Sequence, residues 1–536
     1  ELSLWATAVK ITKVNDSLYA TAELGTPWAA TQNPGLPLLA YFFQFFGDYA
    51  DWKIYVGYDI LYFSVFAAVV GAVPREKWRV AVPMAAVLWC VPFFFTNYNH
   101  TIYLTTTYMT SYGDVPAGLV FGGAVAAWLA LRQNSAPKWA VLPILASTIL
   151  IAGKTTLRNC PDISDVDCMC RILQKIGATV TKTGHEICVD ASGALQSRLP
   201  AEEVVRMRSS IVLTGALLGR LGQASFCDPG GCVIGDRPID LHLKAFARFG
   251  CQIRREDDNF LTVFAKRLNG VQIRFPFSSV GATQNAILCA VCAKGETVLT
   301  GCAKEPEVVS LCRFLNGAGA KIEGAGSKTI RIEGVKKLCS TEFSIDADRI
   351  VAGTCLIGVL AAGGEAFLRQ APIGQLTAVI AVAQKMGAQI VQDSEGLLVK
   401  RAGRLVSPLL LETDVYPGYP TDLQSPMLTA LCCAEGNCMV SERVFNGRFG
   451  VHEQLNRMGA AIVAGQTSAE VTGGRKLHGE RVFAKELRGG AALVLAGLCA
   501  EHKTVVENCH FIRRGYEDIV RDFRELGADI GTETEI

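Results

Sequence analysis

Three long apolar runs dominate the first quarter of the chain. They cover residues 57–73, 80–97 and 115–131, and Asp59 is the one charged residue within them. Runs of 17 or 18 residues approach the length that an α-helix needs to cross a bilayer. The pattern predicts an α-helical membrane segment of about three spans within residues 57–137. The Trp and Tyr residues near the run ends fit interfacial belts.

The positions of basic residues between the runs predict the orientation of these spans. The first connector holds three basic residues, the segment after the third run holds Arg132 and Lys138, and the loop 98–114 holds none. Because basic loops remain in the cytoplasm, we expect residues 1–56 to form an extracytoplasmic loop. The chain after the third span would then lie in the cytoplasm, tethered to the inner face of the membrane.

The alternative for residues 1–137 is a buried, aromatic-rich soluble domain. Their polytopic, aromatic-rich character weakly resembles that of membrane glycosyltransferases, but these residues contain no defensible acidic catalytic motif. The sequence therefore does not reveal an activity for this part of the chain.

A sixfold repeat follows the apolar runs. A helix end, a glycine with a small residue and a β-branched residue recur in LQKIGATV, FARFGCQI, NGAGAKI, AQKMGAQI, NRMGAAI and RELGADI. The six glycines are Gly177, Gly250, Gly319, Gly387, Gly459 and Gly527, and their spacings are 73, 69, 68, 72 and 68. A period near 70 residues predicts one structural unit repeated six times.

A second landmark in each unit is an alanine-rich helix that ends in a turn before a β-branched strand. Examples are CAKGETVL and AAGGEAFL, in which the glycine suits a left-handed helix cap. Each unit then reads as helix, strand, helix, strand in α/β style. The fourth apolar run, residues 139–152, opens the first unit and is only 14 residues long, so we expect a core helix rather than a fourth span.

Composition separates the chain into two parts that meet near residue 138. All seven Trp and ten of the 13 Tyr lie at or before Trp139, whereas 18 of the 19 Cys follow it. The odd number of scattered Cys predicts reduced thiols and a cytosolic setting for the second part. The chain starts at Glu1 without a signal-peptide pattern, which we interpret as an incomplete or processed N-terminus. The net charge of +2 argues against nucleic-acid binding.

Two short motifs resemble a phosphate-binding loop and a zinc-binding cysteine pair, but each lacks residues that such a site needs. The segment AGKTTL at 152–157 lacks the earlier glycine of a phosphate-binding loop, because Thr148 occupies that position. Cys289 and Cys292 form a CxxC on the alanine-rich helix, without a second ligand pair at zinc spacing. We interpret Gly153 as a helix cap and these cysteines as core thiols.

The segment FCDPGGCVIGDRP, residues 226–238, carries the sharpest chemical signal. Cys232 lies at the tip of a Gly/Pro loop with Arg237 nearby. A thiol in such a loop is exposed, and a neighbouring cation favours its thiolate. The alternative, a buried cysteine in a turn, fits poorly with the preceding Pro229, Gly230 and Gly231. The sequence alone therefore favours a reactive cysteine.

The repeat and its motifs closely resemble the UDP-N-acetylglucosamine 1-carboxyvinyltransferase family of enolpyruvyl transferases. The resemblance runs from about Lys138 to the C-terminus and is carried by PGGCVIGDRPIDLH, SSVGATQNAIL, AKEPEVV, DADRIVAGT, YPTDLQ, RVFNGRFG, ELRGGAALVLAG and RRGYEDI. It implies a two-lobed enolpyruvyl transferase fold with three repeats in each lobe. We expect lobes at 138–346 and 347–536, with the substrates between them. The related shikimate-pathway enzyme, 3-phosphoshikimate 1-carboxyvinyltransferase, lacks this cysteine loop and remains a distant alternative.

The resemblance also implies a reaction, the first committed step of peptidoglycan synthesis. The enolpyruvyl group of phosphoenolpyruvate moves to the 3-hydroxyl of UDP-N-acetylglucosamine, and phosphate leaves through a tetrahedral intermediate. Cys232 is implied as the acid at the vinyl carbon, and its thiolate can attach to the pyruvyl unit. Asp422 is implied as the base for the hydroxyl, and Lys138 and Arg514 as further catalytic cations. The family requires no metal and no cofactor.

The remaining positions that the resemblance assigns to the site bind substrate. Arg208, Arg237 and Arg488 match positions around phosphoenolpyruvate, as does Arg514. For Arg448 and Glu305, structural and direct roles both remain open. Positions assigned to the nucleotide sugar or its surroundings are Ser279, Val280, Gly281 and Phe445, together with Pro238, Asp240, Leu241 and His242 of the segment after the cysteine loop. His242 could equally be a structural hydrogen-bonding residue.

The junction near residue 138 departs from the family. The family begins with about twenty residues whose strand completes the C-terminal lobe, and this chain lacks them. Trp139 also replaces an asparagine that contacts the sugar, and an indole cannot make the hydrogen bonds of an amide. We therefore expect a fusion, either natural or an artefact of gene assembly, whose activity is in doubt. A noncatalytic, membrane-anchored relative that only binds nucleotide sugar is the alternative.

Overall fold

The computed structural model describes residues 96–98, 104–106, 138–230, 238–256 and 259–533. The chain divides into two compact units, residues 1–133 and 134–536. In the first unit, Thr96–Tyr98 (β1) and Leu104–Thr106 (β2) pair as antiparallel strands. The predicted loop 1–56 and the apolar runs lie outside the described residues, except for the end of the second run, which enters β1. No helix in the described ranges is long and apolar enough to cross a membrane.

Six apolar helices begin the six repeats of the second unit. They are Lys138–Ser147 (α1), Val212–Leu221 (α4), Val280–Cys292 (α6), Arg349–Ala362 (α8), Gln424–Cys433 (α10) and Leu487–Cys499 (α12). Residues 140–151 are almost completely buried, which confirms the prediction of a core helix at the start of the first repeat. A 3-10 turn, Thr148–Leu150, follows α1.

The remaining helices are amphipathic or short and lie nearer the surface. They are Ser164–Lys175 (α2), Ala201–Val204 (α3), Asp240–Arg248 (α5), Pro306–Gly317 (α7), Thr377–Lys385 (α9), His452–Arg457 (α11) and Ile519–Glu525 (α13). Because one face of these helices is apolar, they cover the buried helices and leave charged side chains in solvent.

The described strands of the second unit form six small sheets, of which three are mixed, two are antiparallel and one is a parallel pair. Their bounds are Lys154–Arg158 (β3), Thr179–Thr183 (β4), Glu186–Asp190 (β5), Gln223–Phe226 (β6), Gln252–Arg255 (β7), Leu261–Phe264 (β8), Gln272–Arg274 (β9), Glu296–Thr300 (β10), Lys321–Glu323 (β11), Thr329–Glu333 (β12), Glu342–Ser344 (β13), Gly364–Arg369 (β14), Gln389–Gln392 (β15), Gly396–Arg401 (β16), Leu410–Glu412 (β17), Asn437–Ser441 (β18), Ala461–Ala464 (β19), Ser468–Thr472 (β20), Arg481–Phe483 (β21) and Val505–Glu507 (β22). The sheet orders are β13-β3-β5-β4, β6-β8-β7, β11-β12-β10-β9, β14-β16-β15, β17-β18-β20-β19 and β21-β22. In the first five repeats the second helix leads into an antiparallel hairpin, where the sequence predicted a single strand.

The six repeat glycines of the first landmark have positive φ, a conformation that the sequence pattern predicted only at the second landmark. All six follow the second helix of a repeat with φ between 91° and 110°, a region that side chains other than glycine rarely adopt. At the second landmark, Gly222, Gly295, Gly363 and Gly436 also have positive φ, and His502 takes the position in the sixth repeat with φ 68°.

The predicted helix cap at Gly153 is wrong, because Gly153 does not have the positive φ of a left-handed cap. A Cβ atom at this position would lie 2.6 Å from the Ser340 hydroxyl oxygen. A close approach of chain segments therefore explains this glycine. Lys154 begins strand β3, whereas the lysine of a phosphate-binding loop precedes a helix.

Two separate hydrophobic cores occupy the second unit. The first core is built from buried residues between Ala140 and Ile345, and the second from buried residues between Ile350 and Phe523. Arg349, the first residue of α8, forms an ion pair with Glu307 across this division, with Nε and Oε1 2.9 Å apart. The chain thus passes from one core to the other at residues 346–349.

Strand β14 has an open edge in the described part of the chain. Strands β3, β10, β18 and β22 each have a parallel neighbour, and β6 has a parallel bridge between Ser225 and Arg198. Strand β14 pairs with β16 on one side, and the described residues supply no strand on its other side. The edge of β14 is therefore a position in the second core where the leading strand of the family could pair, and the sequence predicted that this chain lacks that strand.

Candidate active site

Asp422 lies in a 3-10 turn, Thr421–Leu423, directly before the buried helix α10. Its Oδ1 atom accepts a hydrogen bond from Arg448, and its Oδ2 atom lies 3.3 Å from Nη2 of Arg488. Burial alone would raise the pKa of Asp422, but the two guanidinium groups outweigh it and hold that pKa well below its usual range. The carboxylate is therefore ionised at every physiological pH.

The two arginines around Asp422 present buried donors to the same region. Both side chains are 2% exposed. Nε and Nη1 of Arg448 and of Arg488 are buried and have no hydrogen-bond partner among the described residues. Because buried donors are normally paired, four unpaired nitrogens on two cations indicate a site for an anionic ligand such as phosphate or carboxylate.

The start of helix α12 holds Arg488 in place. Glu486 caps the helix by accepting hydrogen bonds from the backbone N–H groups of Arg488 and Gly489. The Arg488 guanidinium lies 5.4 Å from the centre of the Tyr516 ring, and the Tyr516 hydroxyl lies 2.8 Å from that of Thr354 in α8. Arg349, the first residue of α8, also lowers the pKa of Asp422. Residues at or beside the starts of α8, α10 and α12 therefore contribute to one cluster.

A second cluster forms at the starts of helices in the first core. The Asn285 amide lies 2.7 Å from Nδ1 of His242, and a Cβ atom at Gly281 would lie 3.0 Å from the His242 ring. Burial, followed by the charge of Arg208, lowers the pKa of His242 to about 4. A neutral His242 therefore supports Gly281 through close contact.

Ser279 is the N-cap of helix α6, and its hydroxyl accepts a hydrogen bond from the backbone N–H of Ala282 at 3.4 Å. Val280 is the first residue of the helix. The N-terminus of a helix favours anions through its free N–H groups and its dipole. The Ser279 oxygen accepts a hydrogen bond in the cap, so its O–H group remains a donor alongside the free backbone N–H groups of the first turn.

Arg208 connects this cluster to the cysteine loop. Its Nη1 atom donates to the carbonyl oxygen of Pro229 at 3.1 Å, at the last described turn before Cys232. Burial lowers the pKa of Arg208, and the nearby Asp228 charge opposes this shift. Cys232 and Arg237 themselves lie outside the described residues, and so do their predicted roles.

The second unit has two halves, one around each hydrophobic core. Arg514 joins them. Its Nε and Nη2 atoms lie 2.9 and 3.2 Å from the two carboxylate oxygens of Asp165, in a bidentate pair. Asp165 belongs to helix α2 of the first half, and Arg514 ends the 3-10 turn Ile512–Arg514 of the second. The exposed fractions of the two side chains are 15% for Arg514 and 5% for Asp165, so this pair is largely shielded from solvent.

Glu305 also lies where the two halves meet. It is the N-cap residue of helix α7, and its Oε1 atom accepts a hydrogen bond from the backbone N–H of Tyr416 at 3.5 Å. Burial raises the pKa of Glu305, and its Oε2 atom has no hydrogen-bond partner in the described ranges. A carboxyl group in this setting can hold a proton more readily than an exposed one.

The other predicted site residues have more ordinary surroundings. The Phe445 ring is half-buried, and the Arg448 guanidinium lies 5.5 Å from its centre. Asp240 pairs with Lys244 on the exposed side of α5 at 2.8 Å, and Leu241 is buried in the first core. Pro238 is exposed. For Lys138, the structure gives only its place as the first residue of α1.

Three comparisons with known proteins identify the family of this chain. Residues 132–523 match the family described as EPSP synthase (3-phosphoshikimate 1-carboxyvinyltransferase). UDP-N-acetylglucosamine 1-carboxyvinyltransferase 2 of Carboxydothermus hydrogenoformans is 43% identical over 398 residues, which cover 74% of this chain and 94% of the relative. The chain belongs to the UDP-N-acetylglucosamine 1-carboxyvinyltransferase family. UDP-N-acetylglucosamine 1-carboxyvinyltransferase 1 of Staphylococcus aureus is 41% identical, with 73% and 94% coverage.

Solved structures confirm the enolpyruvyl transferase fold. The enolpyruvyl transferase NikO from Streptomyces tendae matches with a TM-score of 0.67 and 26% identity, over 74% of this chain and 94% of its own. An EPSP synthase from Acinetobacter baumannii matches with a TM-score of 0.58 at 17% identity, over 75% and 96%, which shows a shared fold only. The predicted family membership and fold of the region from Lys138 onward are thus confirmed.

Sequence reasoning missed several charged residues that build the site. Asp165 holds Arg514, and the Glu307–Arg349 pair joins the two halves beside Asp422. Glu307 lies in the family motif AKEPEVV, and Arg349 lies in DADRIVAGT. The motifs therefore contained both residues, but the sequence pattern did not indicate that they form a pair. Asp165 lies in no recognised motif, and a pairing of residues 349 positions apart leaves no local pattern.

Proposed function

We propose that the chain transfers the enolpyruvyl group of phosphoenolpyruvate to the 3-hydroxyl of UDP-N-acetylglucosamine and releases phosphate. The observation that carries this proposal is the partly buried Asp422 between the buried Arg448 and Arg488, whose unpaired N–H groups suit an anionic substrate. The names of relatives that share more than 40% of their residues over nearly their whole length support the same reaction.

The arginines would bind phosphoenolpyruvate. A guanidinium group offers paired donors that match the oxygens of phosphate and carboxylate. Arg488 and Arg208 are buried or partly buried cations near the two helix-start clusters, and Arg514 is already oriented by Asp165. Arg237 and Lys138 complete the proposed cationic set by family resemblance. Such fixed positive charge would stabilise the charge that develops as phosphate leaves.

Asp422 would accept the proton of the attacking hydroxyl. A general base works best when its pKa lies near the operating pH, whereas the Arg448 and Arg488 charges hold the pKa of Asp422 far below that range. Substrate anions that engage these guanidinium groups would weaken their hold on Asp422. The proposed base would then become more basic when phosphoenolpyruvate binds.

Cys232 would deliver the proton to the vinyl carbon, and the same thiolate can attach to the pyruvyl unit. The Arg208 hydrogen bond to Pro229 ties a phosphate-binding cation to the base of this loop. Binding of phosphoenolpyruvate at Arg208 would thereby influence the position of the loop. The uridine diphosphate would lie at the start of α6, near Ser279, Val280 and Gly281, with His242 supporting Gly281 and Phe445 forming a wall of the nucleotide pocket.

We further propose two lobes, residues 138–346 and 347–536, and a membrane tether at residues 57–131. The two separate cores support the lobe boundary. The apolar runs and basic connectors support a tether that leaves the transferase on the cytoplasmic side. Alkaline carbonate extraction of a membrane fraction tests the tether: the chain should remain with the membrane, and its release into the supernatant contradicts this part of the proposal.

The reaction is tested by substituting Asp422→Asn. The amide keeps the shape of the side chain but cannot take up the hydroxyl proton, so phosphate release from both substrates should fall by about 10²- to 10⁴-fold. Asp529→Asn removes an exposed carboxylate and should retain the wild-type rate. Binding of UDP-N-acetylglucosamine, measured by calorimetry, shows whether the variant is folded.

Two results would contradict the proposal. An Asp422→Asn variant that releases phosphate at the wild-type rate would show that Asp422 is not the base. A wild-type chain that binds the nucleotide sugar tightly but releases no phosphate would indicate the noncatalytic relative instead.

A further inference from the structure

Glu442 is a buried acidic residue that contacts two parts of the proposed site. It directly follows strand β18, and only 3% of its surface is exposed. Its Oε2 atom accepts a hydrogen bond from the Thr421 hydroxyl at 2.9 Å. Its Oε1 atom accepts hydrogen bonds from the backbone N–H groups of Val444 and Phe445, at 2.9 and 3.1 Å. One side chain therefore connects two separate segments of the chain.

The first segment is the 3-10 turn Thr421–Leu423, which carries the proposed base. Arg448 and Arg488 form ion pairs with the carboxylate of Asp422 in this turn. The hydroxyl group of the first residue of the turn donates to Glu442. The turn is thus attached to the surrounding structure both through the base itself and through the residue beside it. The position of Glu442 therefore helps to fix the position of the base.

The second segment leads from β18 to Arg448 and contains Phe445, the proposed wall of the nucleotide pocket. The Arg448 guanidinium lies 5.5 Å from the centre of the Phe445 ring. The backbone N–H of Glu442 itself donates to the carbonyl oxygen of Thr467 at 2.8 Å, directly before strand β20. Glu442 is therefore anchored to the fifth sheet of the repeat and holds the backbone at Phe445 against it.

The chemistry of these hydrogen bonds makes the Thr421 hydroxyl hard to replace. A backbone N–H can only donate, and an ionised carboxylate can only accept. Hydrogen bonds to an ionised acceptor are roughly twice as strong as bonds between neutral groups. Thr421 must direct its hydrogen at Glu442 to make this contact. A valine has the same branched shape but offers no hydrogen, whereas a serine retains the donor.

We propose that Glu442 is a positioning residue for the transfer reaction. The two oxygens of its carboxylate hold the turn of Asp422 and the backbone at Phe445, and so fix the spacing between the proposed base and the pocket wall. The hydroxyl that the base deprotonates belongs to the nucleotide sugar, and reacting groups must approach to about 3 to 3.5 Å. The role of Glu442 rests on the proposed function. Neither Glu442 nor Thr421 is among the positions that the family resemblance assigned to the site.

Substitution of Thr421 tests this role while the buried carboxylate stays in place. In Thr421→Val, kcat for phosphate release should fall by about 10- to 100-fold, because a small displacement of the base is costly. The Kd for UDP-N-acetylglucosamine, measured by calorimetry, should remain near the wild-type value, since the contacts of Glu442 to Val444 and Phe445 persist. Thr421→Ser keeps the donor and should restore most of the rate that Thr421→Val loses.

Substitution of Glu442 removes both contacts at once. In Glu442→Ala, kcat should fall at least as far as in Thr421→Val, and the Kd for the nucleotide sugar should also rise. The Thr421→Val/Glu442→Ala double variant should have the kcat of Glu442→Ala alone, because Thr421 acts through Glu442, whereas independent losses would multiply. Glu470→Gln alters an exposed carboxylate on β20 and should retain the wild-type kcat and Kd.

Three outcomes would overturn the role of Glu442. They are a wild-type kcat in Thr421→Val, a Thr421→Ser variant as slow as Thr421→Val, and kcat losses that multiply in the double variant. Circular dichroism spectra and melting temperatures identify the variants that fold. Where Glu442→Ala does not fold, the comparison of Thr421→Val with Thr421→Ser decides alone. A wild-type chain that binds both substrates and releases no phosphate would instead contradict the proposed function, before any substitution is made.

Discussion

At the scale of single residues, the proposed site depends on charges that are buried together. Asp422 has two cationic partners, and Arg448 and Arg488 keep further N–H groups unpaired in the described part of the chain. Two cations around one carboxylate leave a net positive charge, which an anionic substrate would neutralise. The low pKa of Asp422 follows from this arrangement and ties the proposed base to substrate binding.

His242 predicts a pH dependence of stability. Its pKa is about 4 in the folded protein and near the ordinary 6.5 in the unfolded chain. The unfolded chain therefore binds this proton more tightly, so stability falls as the pH drops from about 6.5 to about 4. The fully developed loss is on the order of 3 kcal/mol. Urea unfolding of wild type and His242→Gln across this range should show a shallower loss in the variant.

Substitution of an exposed histidine provides the comparison for His242. His510 is exposed, and His510→Gln should retain the wild-type pH profile. A His242→Gln profile parallel to that of the wild type would contradict the assignment of a buried, neutral His242.

At the scale of elements, buried helices pack closely because small residues line them. Gly215 in α4 donates its backbone N–H to the side-chain oxygen of Asn285 in α6 at 2.8 Å. A Cβ atom at Gly215 would lie 2.5 Å from that oxygen and 2.7 Å from the Asn285 carbonyl oxygen. The two helices therefore meet at a distance that only glycine permits.

Gly215→Ala should reduce the free energy of unfolding by about 1 to 3 kcal/mol, because the added methyl group overpacks the contact between α4 and α6. Chemical denaturation measures this loss. Gly403→Ala is a matched control, since a Cβ atom there would meet nothing within 4 Å, and it should change stability little. Equal stability of both variants would contradict the close packing of α4 and α6.

The repeat shows which elements a sequence can predict. The glycine after each second helix was predictable, because a left-handed backbone conformation requires one residue type at each repeat. Gly153 was mistaken for a helix cap, since a glycine required by the nearby Ser340 side chain looks the same in sequence. The hairpins were missed because their short strands follow one another within a few residues, as β4 and β5 do at Thr179–Asp190.

At the scale of the whole molecule, the family motifs predicted the family and the fold, whereas the contacts between halves were not predictable. Asp422, Arg448 and Arg488, which the motifs assigned to the site one by one, lie together in the structure, and their roles stay predictions. Asp165 has no local signal, because its partner Arg514 is brought to it only by the folding of both halves. Charged pairs of this kind depend on tertiary geometry rather than on spacing.

Asp165→Asn tests the importance of the contact between halves. Asp165→Asn removes one carboxylate charge from a largely buried, bidentate pair with Arg514, so the free energy of unfolding should fall by about 3 kcal/mol. Asp165 orients Arg514, which is proposed to bind phosphoenolpyruvate. The KM for phosphoenolpyruvate should therefore rise more than kcat falls. Asp167→Asn, on the same helix, breaks a more exposed pair with Lys182 and should cost below about 1 kcal/mol. Unchanged stability and KM in Asp165→Asn would contradict this role.

We expect this chain, with its altered junction at Lys138 and Trp139, to be an active enolpyruvyl transferase. The most direct measurement is phosphate release by the full chain with phosphoenolpyruvate and UDP-N-acetylglucosamine, compared with Cys232→Ala. Phosphate release should require both substrates and should be lost in the variant. Release that persists in Cys232→Ala, or release that requires shikimate 3-phosphate in place of the nucleotide sugar, would contradict it.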